Sequence, residues 1–332
     1  MKILITGMNS AQTIENFYLR QQIKLASHVS ILACLRDMGH TVEQRAVAYD
    51  ETLSEYDKVI VYIHNPAGFA GQVFPALTAI AKRPDAIIAI DDWQTDSIWE
   101  GSTTDGPRMF RARIEDCQPP GWDVGMVNAG IASLKSKTHK VLVPAFKGGN
   151  ITQLIPGGYD PSLIFSYNPN PYHLNNKNTV APEDKLKAFN FASLVQGKTA
   201  KWLKQNSPKK WDLFLYGSKK DKQLRLTDEE MCKVFAQQWG SLLPGYWHDT
   251  SGWWRFRHLQ LADAGSILIG NPNELSIIYK DQALASLSVS QVEDMDLTQL
   301  IATANGQREA IYAAHPLDKA VERQELDTVL NA

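Results

Sequence analysis

Cysteine is scarce. The 332 residues hold three, Cys34, Cys117 and Cys232, far apart and with no C-x-x-C pair. That excludes a disulfide framework and a zinc knuckle, and it points to a reducing compartment. Long apolar runs are missing too. Val59–Ile63 and Ala86–Ile90 are strand-length, well short of the ~20 residues a membrane-spanning helix needs. No apolar signal core with a cleavage site follows the opening Met-Lys-Ile-Leu-Ile-Thr-Gly, so the expected compartment is the cytoplasm and no membrane partner is expected. Charge of one sign is also lacking. Lys and Arg number 34 against 36 Asp and Glu, a net charge of −2, so no global field draws the chain to nucleic acid and any such contact needs a local patch. There is no internal repeat, low-complexity tract or heptad pattern.

What is present is an ordinary globular composition, 44% hydrophobic and 21% charged, in a chain long enough for two domains. The first 65 residues read as β-α-β-β. Lys2–Thr6 is a short apolar strand broken at Gly7-Met8-Asn9-Ser10. Leu25, Val29, Leu32 and Leu35 follow at helical spacing, and the helix closes at Met38-Gly39. Thr41–Ala48 and Lys58–Ile63 read as strands, 72–82 as a helix, and Ala86–Ile90 as a strand running into Asp91-Asp92-Trp93. Strands alternating with helices predict a parallel sheet covered on both faces. Ligands of such sheets sit beyond the carboxyl ends of the strands, here the loops 7–12, 64–71 and 91–99.

Between about 155 and 186 the chain is rich in turns, with Gly157-Gly158, Asn168-Pro169-Asn170-Pro171 and Asn175-Asn176, and reads as a linker. The alternation then restarts: strands over Phe189–Leu194, Trp211–Tyr216 and Ser266–Ile269, with helices over 198–205, 227–238, Arg255–Ala264, Leu297–Ala304 and the charged tail from 307. The predicted division is 1–165, a linker over 166–186, 187–306, and a helical tail over 307–332 that can cross back to the first half. Two α/β halves make a cleft between them.

Five groups of residues are candidates for chemistry. Asp91 and Asp92 close an apolar strand, where partial desolvation raises a carboxylate's pKa and suits it to general base work. Helix capping is the plainer explanation. Ala192-Ser193-Leu194-Val195-Gln196-Gly197-Lys198-Thr199 approaches the phosphate loop GxxxxGK[ST], with Ala for the first glycine. The next strand, Leu213–Tyr216, ends without the acid a nucleotide hydrolase needs for magnesium, which favours simple phosphate binding by Ser193, Gly197 and Lys198. Arg257 and Gln260 are three apart, on one helix face. A guanidinium there can pair with a diphosphate while the amide meets sugar hydroxyls; solvated surface arginines are the alternative. Tyr246, in the aromatic stretch 244–256, can frame a base or serve the core. Residues 198–222 carry eight lysines against Asp212 and Asp221, either a polyanion patch or a solvated face. No metal-ligand spacing is present.

In this order the pieces resemble the GT-B glycosyltransferases, which have two Rossmann-like domains with parallel sheets facing a deep cleft. More narrowly they resemble the bacteriophage DNA β-glucosyltransferases that modify 5-hydroxymethylcytosine. The Met8-Asn9 loop after the first strand, the helix ending in Met38-Gly39 and the strand running into Asp91-Asp92-Trp93-Gln94 carry the likeness in the first half. The family has a Thr-Asp pair followed two on by an arginine, with the aspartate as catalytic base. The pairing places it at Asp92, and a one-residue shift at Asp91. In the second half the family's Gly-Ser turn is similar to Ala192-Ser193 through Gly197-Lys198, with Val195 and Thr199 where its phosphate-binding arginines fall. Its Arg-x-x-Glu, Arg on phosphate and Glu on ribose, is similar to Arg257-His258-Leu259-Gln260. The glutamine keeps hydrogen bonding but not the charge.

The resemblance implies an enzyme that moves a sugar from a UDP-sugar, UDP-glucose or a related donor, to a 5-hydroxymethylpyrimidine in double-stranded DNA. Asp acts as base, with inversion. Donor contacts fall to Ser193, Gly197, Lys198, Tyr246, Arg257 and Gln260, and acceptor contacts to Asn9, His64, Trp93 and Gln94. It implies no tightly bound cofactor, a divalent metal at most as a stimulant, a monomer, and the host cytoplasm as its place. A glycan or small-molecule acceptor, and nucleotide binding without turnover, stand as the alternatives.

Overall fold

The structure, a computed structural model, describes residues 1–7, 26–45, 47, 50–63, 70–90, 123–144, 155, 157–167, 178–192, 197–216, 226, 228–244, 256–314 and 318–332. Two parallel sheets organise them. The first is built from β1 (Lys2–Thr6), β2 (Thr41–Gln44), β3 (Lys58–Ile63), β4 (Ile87–Ile90), β5 (Val141–Pro144) and β6 (Ile164–Tyr167), in the order β2-β1-β3-β4-β5-β6. Helices α1 (Ala26–Asp37), α2 (Ala70–Lys82) and α3 (Val124–Lys135) make the crossovers.

Period-two alternation sorts these strands onto two cores. Leu4, Val59, Val61, Ile88, Ile90, Val141 and Val143 pack with Leu77 and Ile80 of α2 and Val127 and Leu134 of α3. Ile3, Ile5, Ile60, Tyr62, Ile87, Ala89 and Leu142 point the other way, against Ile31, Leu32 and Leu35 of α1. A strand buried on both faces needs an unbroken apolar run, and Lys58–Ile63 and Ile87–Ile90 have one.

The second sheet comprises β7 (Leu186–Ala192), β8 (Asp212–Tyr216), β9 (Gln238–Leu243) and β10 (Ile267–Gly270), in the order β10-β9-β7-β8. Helices α4 (Gly197–Gln205), α5 (Asp228–Gln237) and α6 (Phe256–Asp263) connect them. Short helices α7 (Pro272–Ile278), α8 (Gln282–Ala285) and α9 (Val289–Glu293) lead to the long α10 (Leu297–Ala314). Phe189, Phe191, Trp239, Ile267 and Ile269 build one core with Leu300 and Ala304 of α10. Ala192, Leu268, Phe235, Leu259 and Ala262 build the other. Gln307 of α10 closes the β10 edge. Its amide accepts from the Leu268 N–H at 2.8 Å and donates to the Leu268 carbonyl at 2.9 Å, as a neighbouring strand would.

The last helix, α11 (Lys319–Asn331), leaves the second core. Leu326, Val329 and Leu330 lie in the α1 core of the first sheet, with Tyr167. Arg323 pairs with Asp37, and Lys140 donates to the Val329 carbonyl at 3.3 Å. The Tyr167 hydroxyl donates to the buried Glu322 carboxyl in the first turn of the helix. Among the described residues no helix is long and apolar enough to cross a membrane.

Several elements differ from the sequence reading. α3 and β5 were not anticipated, and β6 falls in the stretch read as turns. The predicted strand 41–48 stops at Gln44, because this edge strand pairs only with β1. The helix expected over 227–238 ends at Gln237, and β9 begins at the next residue with no loop. Gln238-Trp239-Gly240-Ser241 has no strand-like apolar run. It is shaped by its neighbour: a Cβ on Gly240 would lie 2.1 Å from the Phe189 ring.

Candidate functional site

Each sheet reverses its strand order once. In the first, β2 lies on one side of β1 and β3 on the other; in the second, β8 and β9 flank β7. Crevices beyond the carboxyl ends at such reversals are where open α/β sheets bind ligands. Gly7 opens the first. Its φ is +91°, and a Cβ there would fall 2.5 Å from the Tyr62 carbonyl, so only glycine lets the chain leave β1 against the end of β3. Thr6 is level with Val61, and Ile63 with Ile90. The segments beginning at 8, 64 and 91 therefore depart from one edge. Asp91 and Asp92 follow directly on Ile90 in the chain. These two, with Asn9, His64, Trp93 and Gln94, lie outside the described residues.

The second crevice is better defined. Arg257, in the first turn of α6, donates from its guanidinium to the carbonyl of Ala192, the last residue of β7. That carbonyl stands at the strand reversal. One turn on, Gln260 is buried, 1% exposed, as are His258 and Leu259. His258 Nε2 lies 3.9 Å from a Glu274 oxygen. Gly197 and Lys198 form the first turn of α4, the helix that follows β7 in the chain and packs on the opposite face of the sheet from α6. A helix start presents unpaired N–H groups and a positive dipole end, both suited to an anion. Ser193 and Tyr246 lie outside the described residues.

Three polar residues of this half were not anticipated. Asn190, buried in β7, donates to the Gly240 carbonyl at 3.0 Å and accepts from Ser241 at 2.6 Å. The pair ties β7 to β9, the two walls of the reversal, with every partner inside. Lys185 precedes β7 and donates to the carbonyls of Ala264 and Gly265, at 2.7 and 3.0 Å. Burial pushes its ammonium down to about 8. Neither spacing nor composition marks these residues, since a lone Asn or Lys beside a strand is an everyday pattern.

Of the lysine run, Lys219, Lys220 and Lys222 lie outside the described residues. Lys201, Lys204 and Lys209 are exposed, and Lys210 pairs with Asp294. One Glu293 oxygen accepts the backbone N–H groups of Lys209, Lys210 and Trp211 at 2.8, 2.6 and 2.9 Å. Among the described residues no cluster of His, Cys, Asp or Glu could hold a metal ion.

No protein-family model and no curated protein matches this sequence. Solved structures do. The DNA-modifying enzyme beta-glucosyltransferase matches over all of both chains with a TM-score of 0.60 at 11% identity. The phage T4 enzyme in complex with its UDP-glucose substrate matches likewise at 0.59 and 13%. An alpha-glucosyltransferase, in complex with UDP and a 13-mer DNA containing a hydroxymethyluracil base, matches over all of both chains at 0.52 and 9%. The chain has the GT-B fold.

Proposed function

We propose that this GT-B chain is a glycosyltransferase that moves a sugar from a UDP-sugar, UDP-glucose or a close relative, to a hydroxymethylated pyrimidine of double-stranded DNA. The observation that carries the reading is Arg257 in the first turn of α6, its guanidinium on the carbonyl of Ala192 at the carboxyl end of β7, the strand that precedes α4 in the chain. A guanidinium and a helix start are both groups suited to a diphosphate. The reading divides the chain into an acceptor half over 1–165, a linker over 166–186 and a donor half from 187 whose last helix, α10, runs to Ala314; of the stretch 307–332 expected as a tail, α11 is the part that returns to the first sheet. Ser193, Gly197, Lys198, Tyr246 and Gln260 complete the donor contacts. Asn9, His64, Trp93 and Gln94 serve the acceptor.

The chemistry follows from that division. Asp92, or Asp91 one residue earlier, takes the proton of the acceptor hydroxymethyl group. Its oxygen bonds to the anomeric carbon as the bond from that carbon to the diphosphate breaks. UDP leaves with both electrons, its charge held by Arg257, Lys198 and the helix start. In-line displacement inverts the anomeric centre. A base inside a duplex is out of reach, so the target nucleotide flips out of the stack. No resident metal is assigned, and a divalent cation acts at most as a stimulant. The protein works as a monomer in the cytoplasm of the host cell.

The test is mass spectrometry of DNA carrying 5-hydroxymethylcytosine or 5-hydroxymethyluracil, incubated with a panel of nucleotide sugars. A hexose added to one base from one UDP-sugar is the expected result. No product from any donor, together with no change in melting temperature on adding UDP, removes the proposal. UDP binding with transfer only to a small molecule or glycan moves the acceptor away from DNA.

A further inference from the structure

Helix α6 is tied to strand β7 at both of its ends. At the cleft end Arg257 donates to Ala192, the last residue of the strand. At the far end Lys185, the residue before the strand, donates to Ala264 and Gly265 just past the helix. The ammonium also lies 5.3 Å from the centre of the Trp239 ring. Ala264 is seven residues beyond Arg257, about 10 Å along a helix axis, and a helix transmits an axial shift from one end to the other nearly undiminished.

A 9% exposed lysine whose partners are two carbonyls and a ring is a costly choice for holding a helix in place. An ammonium supplies three donors and a cation at the negative end of the helix dipole, where the carbonyls are unpaired. Building on the donor-site reading above, we propose that Lys185 is a positioning residue for the nucleotide sugar. By gripping the two carbonyls just past α6 it sets the height of Arg257 against the carboxyl edge of β7, and so the fit to the diphosphate. Burial is the one cause that lowers the Lys185 pKa. The charged groups nearest it in the chain and on the facing helix, Glu183, Asp184 and Asp263, add nothing to the shift, and Asp263 accepts from Tyr312 instead.

The experiment measures UDP affinity by calorimetry for wild type, Lys185→Met, Lys185→Arg and Arg257→Ala, with turnover on hydroxymethylated DNA alongside. Lys185→Met keeps the stem over Trp239 and removes the donors. Its UDP affinity is expected to fall about tenfold, the scale of one charge-assisted hydrogen bond. Its kcat should fall as well, by less than in Arg257→Ala, because the guanidinium it positions also meets the charge that grows on the departing UDP. Lys185→Arg, which restores the cation, should recover most of the affinity. From pH 7 to pH 9 wild type should weaken relative to Lys185→Arg, because only the lysine discharges. That ratio cancels any titration of the nucleotide and stands even if Lys185→Met fails to fold. Equal affinity in wild type and Lys185→Met, or a pH-independent ratio, overturns the proposal while loss of binding in Arg257→Ala keeps the donor reading. A wild type that binds no UDP, or an Arg257→Ala that binds as wild type does, overturns the donor reading and this proposal with it.

Discussion

Replacing Glu322 by glutamine should remove most of the pH dependence of stability between pH 6 and pH 8. Glu322 is fully buried in the first turn of α11, where the Tyr167 hydroxyl donates to one carboxyl oxygen and the other has no partner among the described residues. Burial, with Glu325 adding a like charge, pushes its pKa up from 4.5 to about 10. In the unfolded chain the same group has lost its proton by pH 6. Across the window the folded state therefore holds one more proton than the unfolded state, and stability falls as pH rises, by ~1.4 kcal/mol per pH unit. Two units amount to ~2.7 kcal/mol, lost on going from pH 6 to pH 8 and fully regained below pH 4.5. Glutamine copies the shape of the neutral acid and does not titrate. Its buried NH₂ adds a penalty that is the same at every pH. Urea unfolding followed by circular dichroism at pH 6 and pH 8 gives the quantity of interest, the stability of Glu322→Gln minus that of wild type. The expected result is a rise of ~2–3 kcal/mol in that difference between the two pH values. Parallel loss of stability in both proteins would show that Glu322 is ionised in the fold and refute the reasoning.

Arg257→Ala should weaken UDP binding by one to two orders of magnitude in calorimetry, the scale of losing a charge-assisted contact to phosphate. Unchanged binding removes the arginine from the donor site. Asp92→Asn should leave UDP affinity intact and lower turnover on hydroxymethylated DNA by roughly 10²–10⁴-fold. If turnover persists, the base is not Asp92 and Asp91→Asn is the variant to measure. Gln307→Leu strips the β10 edge of its partner and leaves the buried Leu268 N–H and carbonyl unsatisfied. A loss of about 2–4 kcal/mol in chemical unfolding is expected, and a loss under 0.5 kcal/mol would mean that water replaces the amide.

Much of the first half was legible in the sequence because its strands are buried on both faces. Val59–Ile63 and Ile87–Ile90 are unbroken apolar runs, and no helical period fits them. Gly7 and Gly39 marked their turns for the reason the structure displays, a positive φ at each. β9 was not legible, because what makes Gln238–Leu243 a strand is the contact with Phe189, 49 residues earlier. β6 hid among turn residues, since four residues paired to one neighbour carry too little pattern to stand out. At the candidate site the helix bearing Arg257 and Gln260 was anticipated to within one residue at each end. The partner of Arg257 was not: a backbone carbonyl leaves no mark on the sequence. Lys185 was invisible for a related reason, as it acts on carbonyls 79 and 80 residues away.

Leu326, Val329 and Leu330 lie in the same core as Ile3 and Ile5. Side chains more than 320 residues apart along the chain thus finish one core. That core closes only when two distant segments meet, so the entropy of a very long loop is lost before the α1 face of the first sheet is covered. The second sheet carries its own helices through α10 and needs no such meeting.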